Sequence, residues 1–119
     1  MAFKAILGDL VAAVPGAGGA ILADWEGEAV DQVARMDAYE LKVIGAHKGV
    51  ILNRLRDLVQ RLDGAEPREI VITTDRMEIL VMPVTSEYFL VLTLARGQAF
   101  GRALFEARRC VARLIGEIG

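Results

Sequence analysis

This sequence of 119 residues contains few of the side chains that usually carry chemistry, with one cysteine, Cys110, and one histidine, His47. A single cysteine excludes a disulfide within the chain and fits a reducing cytoplasm. The 14 basic residues are balanced by 16 acidic ones, so the strongly basic surface typical of nucleic-acid-binding domains is missing. No apolar run reaches the roughly 18 residues that span a membrane, and Asp9 interrupts the first hydrophobic segment too early for a signal peptide. We expect a cytoplasmic protein that neither binds nucleic acid nor inserts directly into a membrane.

The residues that could serve catalysis or ligand binding lack partners in the sequence. His47 has no acidic residue three or four positions away on its predicted helix, so metal binding and acid–base catalysis are not supported. Gly16, Gly18 and Gly19 lack the Gly-Lys-Ser/Thr that completes a phosphate-binding loop, and a strand follows them. Cys110 lies among apolar residues, where packing is the simpler role. We expect no enzyme activity, no metal and no cofactor.

Apolar residues are what the chain has in excess. They make up 54% of it, which is above the usual share for a globular domain. An excess of this kind suggests that part of the surface is covered by a partner or by a second copy of the chain.

Hydrophobic periodicity and turn residues divide the chain into eight elements. In order, they are a helix over residues 3–14, strands over 17–24 and 28–35, a helix over 38–62, strands over 68–74, 77–85 and 88–96, and a helix from about 98 to 118. Strands 77–85 and 88–96 are almost continuously apolar, which predicts central strands covered on both faces, whereas the polar strand 28–35 suits an edge. With no linker or repeat, residues 1–119 are predicted to form a single α+β domain. It should have one five-stranded antiparallel sheet with helices on both faces.

Turn and capping residues mark the ends of several elements. Gly27 can supply the positive φ of the turn between the first two strands. Asp37 and Glu40 form a D-x-x-E pattern close to a capping box, and Gly64 can end the same helix in a left-handed conformation. The helix over residues 38–62 therefore has clear start and stop signals.

This long middle helix has two apolar faces where one would be enough to cover a sheet. The larger face, which we expect to lie on the sheet, consists of Leu41, Ile44, Ile51, Leu55, Leu58 and Leu62. The smaller face, on the opposite side, consists of Tyr39, Val43, Ala46 and Val50. Exposed apolar side chains of this kind lower solubility, so we predict that the smaller face contacts a partner.

Two glycines lie between these faces. Gly45 and Gly49 each cost about 1 kcal/mol relative to alanine inside a helix, and they allow a neighbouring element to approach closely. That neighbour is either the domain's own sheet or a second molecule. The β-branched strand over residues 68–74 is a second hazard, because an unpaired edge of this kind aggregates unless it is covered. The predicted interface therefore comprises Tyr39, Val43, Gly45, Ala46, Gly49, Val50, Ile70 and Ile72.

The order and lengths of the elements resemble the roadblock/dynein light-chain family. The resemblance rests on residues 14–24, the turn at Gly27, the long middle helix, three strands ending in residues 88–94 and a last amphipathic helix. It covers essentially the whole chain. It implies a profilin/roadblock-like sandwich with the middle helix on one face and the N- and C-terminal helices on the other. It also implies a homodimer or heterodimer that pairs through the middle helix and the strand after it.

In function, the resemblance implies a non-catalytic module that regulates or scaffolds a small Ras-like GTPase, with GTPase activation among the known roles of the family. No catalytic arginine is carried over from it. Two other functions stay open. One is a ligand sensor of the PAS, GAF or profilin-like kind, which would need a polar-lined pocket between sheet and helix, whereas these strands are uniformly aliphatic. The other is a structural adaptor in a motor or motility complex.

Overall fold

The computed structural model describes residues 2–64 and 66–119, without the side chains of residues 48–50, 52 and 63. All eight predicted elements are present in the predicted order. They are α1 (Phe3–Ala13), β1 (Ala17–Asp24), β2 (Ala29–Ala34), α2 (Ala38–Asp63), β3 (Ile70–Thr73), β4 (Met77–Pro83), β5 (Tyr88–Ala95) and α3 (Phe100–Ile118). The structure shortens several predicted ends by one or two residues and extends α2 by one.

The five strands form one antiparallel sheet in the order β2-β1-β5-β4-β3. The apolar strands β4 and β5 are interior as predicted, and β5 is buried without a break from Phe89 to Leu94. The polar strand β2 forms one edge, and the short strand β3 forms the other. The α+β class and the five-stranded sheet predicted from the sequence are both confirmed.

Alternate residues of each strand enter two separate cores. Leu22, Leu80 and Leu90 pack under α1 and α3, in a cluster that also contains Leu7 and Leu114. On the opposite face, Ile21, Ile79, Val81 and Val91 pack under α2 with Leu41. Because successive side chains of a strand point to opposite faces, this division follows from the period of two in the sequence. The middle helix covers one face and the terminal helices cover the other, as the resemblance implied.

Capping residues begin and end the elements where the sequence predicted. The Asp37 carboxylate accepts hydrogen bonds from the backbone N–H groups of Tyr39 at 2.8 Å and Glu40 at 3.2 Å, which starts α2. Gly64 ends α2 in the left-handed region, with φ of 76°. Gly27 also has a positive φ, 87°, in the β1–β2 turn.

One prediction about α2 is wrong in its second half. Leu41 and Ile44 of the larger apolar face lie on the sheet, but Ile51, Leu55, Leu58 and Leu62 are exposed. The reason is length. At 26 residues α2 extends about 39 Å, whereas the sheet is roughly 19 Å wide across its strands and its longest strands, of eight residues, extend roughly 26 Å. The second half of the helix therefore extends past the part of the sheet that it could cover.

Within the described part of the chain, none of the three helices combines the length and the apolar content required to cross a bilayer.

Candidate interaction surface

The exposed half of α2 carries a continuous line of large apolar side chains, which we call the α2 row: Ile51, Leu55, Leu58 and Leu62. Their exposed fractions are 39%, 38%, 53% and 75%. At 100° per residue these four positions lie within about 60° of one another on the helix surface. Such a concentration of exposed apolar side chains on one face is typical of an interaction site rather than of ordinary protein surface.

The α2 row is held in place by an aromatic contact with the sheet. The Arg56 guanidinium lies over the ring of Trp25 at 5.1 Å, and this ring packs against Phe89 at 5.3 Å. The Arg56 Nε donates a hydrogen bond to the carboxylate of Glu66 at 3.1 Å, and Gln60 donates another to the same carboxylate. The cation–π contact joins the helix to the sheet through Trp25 and Phe89, and the ion pair joins it to the segment after α2, so the row is presented by a supported element.

The second component is the open edge of β3. Along one side, β3 pairs with β4. Along its other side, the backbone N–H and C=O groups of β3 have no strand partner among the described residues. Ile70 and Ile72 are half-buried and belong to the cluster under α2, while Val71 points to the opposite face and is exposed. The inward side chains of β3 and the helix that carries the α2 row therefore lie on the same face of the sheet.

The residues predicted to form the interface fall into different environments. Tyr39 is 77% exposed at the start of α2, and Val43 is half-buried. Gly45 faces the domain's own sheet, because a Cβ there would lie 3.1 Å from Ile21. Ala46 packs against the β1–β2 turn, where a Cβ on Gly27 would approach the Ala46 Cα to 3.1 Å.

Of the two alternatives for the close approach at Gly45, the contact with the domain's own sheet is therefore the one realised within the chain. Gly49 and Val50 lie outside the described side chains. The α2 row was assigned to the core by its periodicity. A comparison of the length of the predicted helix with the width of the predicted sheet could have shown that the second half of α2 lies beyond the sheet.

The groups that could carry chemistry are either exposed or held in contacts within the fold. His47 is exposed on α2. Cys110 is buried in the α1–α3 layer, and its burial raises the pKa of the thiol to about 12. The Asp24 carboxylate accepts hydrogen bonds from the N–H groups of Glu26 and Glu28, both at 3.0 Å, and so closes the β1–β2 turn. In the described ranges, His, Cys, Asp and Glu form no group of three that could hold a metal ion.

Several solved structures have a fold similar to that of this chain. A Roadblock/LC7 domain from Streptomyces avermitilis has a TM-score of 0.87 at 19% identity, over 95% of this chain and 94% of that one. The gliding protein MglB from Thermus thermophilus has a TM-score of 0.83 at 20% identity, over 95% and 85% of the two chains.

A structure of MglB described as having a tetrameric arrangement has a TM-score of 0.85 at 19% identity, again over 95% and 85% of the two chains. No curated protein sequence matches the chain significantly. The Roadblock/LC7 domain model, however, matches residues 4–94. The chain therefore belongs to the Roadblock/LC7 domain family, which is known for regulatory and adaptor domains rather than for enzymes.

Proposed function

We propose that the protein is a cytoplasmic homodimer that regulates or scaffolds a small Ras-like GTPase without supplying a catalytic group. The observation that carries this proposal is that the chain leaves two features uncovered, the apolar α2 row and the open edge of β3. A second copy related by a two-fold axis could cover the exposed helix face and also pair with the open strand edge.

The energetics favour covering this surface. Full burial of a large aliphatic side chain contributes about 1.5–3 kcal/mol, and the α2 row supplies four partly exposed ones from each copy. Pairing β3 with its own copy would also satisfy backbone groups that otherwise form an aggregation-prone edge. The MglB structure with a tetrameric arrangement supports self-association as a property available to this fold.

The GTPase as partner is supported by membership of the family and by its resemblance to regulators of Ras-like GTPases. We assign the exposed Tyr39 and the half-buried Val43, both near the start of α2, to contact with this partner. The start of α2 is separated along the helix from the α2 row, so a dimer built on the row would leave it accessible.

The arginines of this surface favour a mechanism without an arginine finger. Arg56 is held between Trp25 and Glu66, and Arg61 pairs with Asp57 at 3.3 Å on the helix surface. An arginine finger in trans contributes about 10³–10⁵-fold to GTP hydrolysis. We therefore expect alanine at Arg54, Arg56, Arg61 or Arg76, one at a time, to change single-turnover hydrolysis by the partner less than tenfold.

The test begins with a small Ras-like GTPase loaded separately with GDP and with a non-hydrolysable GTP analogue. Binding that prefers one nucleotide state, lost in Val43→Asp while the helical circular dichroism stays intact, would support regulation. A thousandfold loss of hydrolysis at one arginine, with binding unchanged, would overturn the non-catalytic mechanism. Binding that ignores the nucleotide would instead favour the adaptor role, which the likeness to a gliding protein also supports.

A further inference from the structure

A cavity of about 260 Å³ lies between the first turn of α2 and the sheet. Its lining includes Gly18, Met36, Glu40, Arg76, Met77 and Thr93. Pockets for drug-sized ligands typically measure about 300–1,000 Å³, so this cavity suits a smaller molecule, of the size of an amino acid. None of the residues assigned above to the dimer or to the GTPase lies in its lining.

The base of the cavity combines one hydroxyl with flexible apolar side chains. Thr93 is 1% exposed and is the one buried polar side chain in the described part of the domain. Among the described residues, its hydroxyl makes two long contacts, 3.4 Å to the carbonyl of Gly19 and 3.5 Å to the sulfur of Met36. Methionines such as Met36 and Met77 adapt their shape to an apolar ligand, because the thioether chain is flexible and polarisable.

Gly18 keeps this space open. A Cβ at this position would lie 2.7 Å from the Thr93 hydroxyl oxygen and 3.3 Å from the Met36 sulfur. The carbonyl of Gly18 also accepts hydrogen bonds from the backbone N–H groups of Arg35 and Met36, at 2.7 and 3.0 Å, which brings Met36 over the cavity. The chain thus positions Met36 and omits the side chain that would fill the volume beside it.

Two opposite charges border the cavity without pairing. Glu40 comes from the first turn of α2 and Arg76 from the β3–β4 turn, and neither takes part in an ion pair with another described residue. The turn that carries Arg76 is well fixed. The Arg76 N–H donates to the Thr74 hydroxyl at 3.2 Å, and the Arg96 guanidinium donates to the Thr74 carbonyl at 3.0 Å. A ligand that carries both charges could satisfy Glu40 and Arg76 together.

We propose that this cavity binds an aliphatic α-amino acid. The ligand carboxylate meets the guanidinium of Arg76, its ammonium meets the carboxylate of Glu40, and its side chain packs against Met36 and Met77. Charge-assisted hydrogen bonds of this type are about twice as strong as neutral ones, so both ends of the ligand are recognised. This proposal does not depend on the dimer or on the GTPase.

Isothermal titration of the full chain with L-leucine, isocaproate and isoamylamine tests it. The second probe lacks the ammonium group and the third lacks the carboxylate. We expect L-leucine to bind at least tenfold more tightly than either analogue. No heat from L-leucine, or equal affinities for the three probes, would overturn the proposal.

Matched variants locate the binding. Arg76→Gln and Glu40→Gln should each weaken L-leucine binding at least tenfold, whereas Arg109→Gln, on the opposite face of the sheet, should leave it unchanged. The side chains of Glu40 and Arg76 are exposed, so we expect both variants to fold, and circular dichroism melts check this. Unchanged affinity in folded Arg76→Gln and Glu40→Gln would exclude this cavity as the site. The titration measures leucine binding to the chain without a GTPase. Its result therefore tests the amino-acid site independently of the proposed GTPase function.

Discussion

The helices α2 and α3 lie on opposite faces of one sheet and bury their apolar side chains to very different extents. On α3, with 19 residues, Ala103, Ala107, Cys110 and Leu114 are all buried. On α2, with 26 residues, Leu41 is the one apolar side chain that is fully buried among those described. Among the described side chains, the longer helix thus has fewer that are fully buried in the core.

The difference comes from what supports each helix. α3 lies beside α1, and ion pairs fix its position, with Arg113 bound to Asp9 at 2.9 Å and Arg108 to Glu69. α2 crosses its face of the sheet alone and extends beyond it. An apolar stripe on a helix therefore has two possible partners, the sheet of the same chain or the surface of another one. Substitutions on each face of the sheet test this difference between the two helices.

Leu114→Asp should unfold the domain. Leu114 is fully buried under α3, and a carboxylate there would lose its hydration without gaining a partner. We expect a loss of about 4 kcal/mol or more in the free energy of unfolding, which is a large share of the about 5–15 kcal/mol typical of a domain. Thermal and urea melts followed by circular dichroism measure it, and a melt like that of the wild type would contradict the assignment of α3 to the core.

Leu58→Asp is the matched change on α2, and it should dissociate the dimer while the fold persists. Leu58 is 53% exposed in the single chain, so the aspartate keeps its water there but would lose it in an interface. Light scattering should fall from twice the mass of one chain to 12.9 kDa at micromolar concentration. If the wild type itself scatters as a monomer, the proposed homodimer is wrong.

The reactivity of the Cys110 thiol measures how far the α1–α3 layer excludes solvent. With the thiol pKa raised to about 12 by burial, only about one thiol in 10,000 is ionised at pH 8. We expect the native protein to react with a thiol reagent at least a hundredfold more slowly than the urea-unfolded chain. Rapid labelling of the native chain would mean that this layer opens readily in the folded protein.

Glu69→Gln should have the smallest effect, and that effect should depend on pH. The hydrogen bond from Arg108 holds the pKa of the Glu69 carboxyl below its ordinary value of 4.5. A lowered pKa in the folded state means that the stabilisation is present above the ordinary value and is lost as the pH falls through the lowered one. Urea melts should therefore show a small destabilisation at pH 7 that shrinks toward pH 3. The exposed Glu87→Gln is the control, and a destabilisation that persists at pH 3 would exclude the ion pair as its cause.

Much of the fold was predictable because it is local or repetitive. The caps at Asp37 and Gly64, the turn at Gly27 and the edge position of β2 follow from residue types and alternation. The exposure of the α2 row was not predictable from its spacing in the sequence. Hydrophobic periodicity shows which side chains share a helix face, but it does not show how far the sheet beneath that face extends. The cavity near Thr93 was missed because its lining comes from β1, the segment before α2, the β3–β4 turn and β5, which only the folded chain brings together.

Trp25, the only tryptophan of the chain, lies between Arg56 of α2 and Phe89 of the sheet. Its indole N–H is buried and lacks a hydrogen-bond partner among the described residues. The protein therefore carries an intrinsic fluorophore beneath the helix half that bears the α2 row. Displacement of that helix half would bring water to the indole and shift its emission to longer wavelength, whereas a rigid-body encounter would leave the spectrum unchanged. Association and helix movement can thus be followed separately in the unlabelled protein.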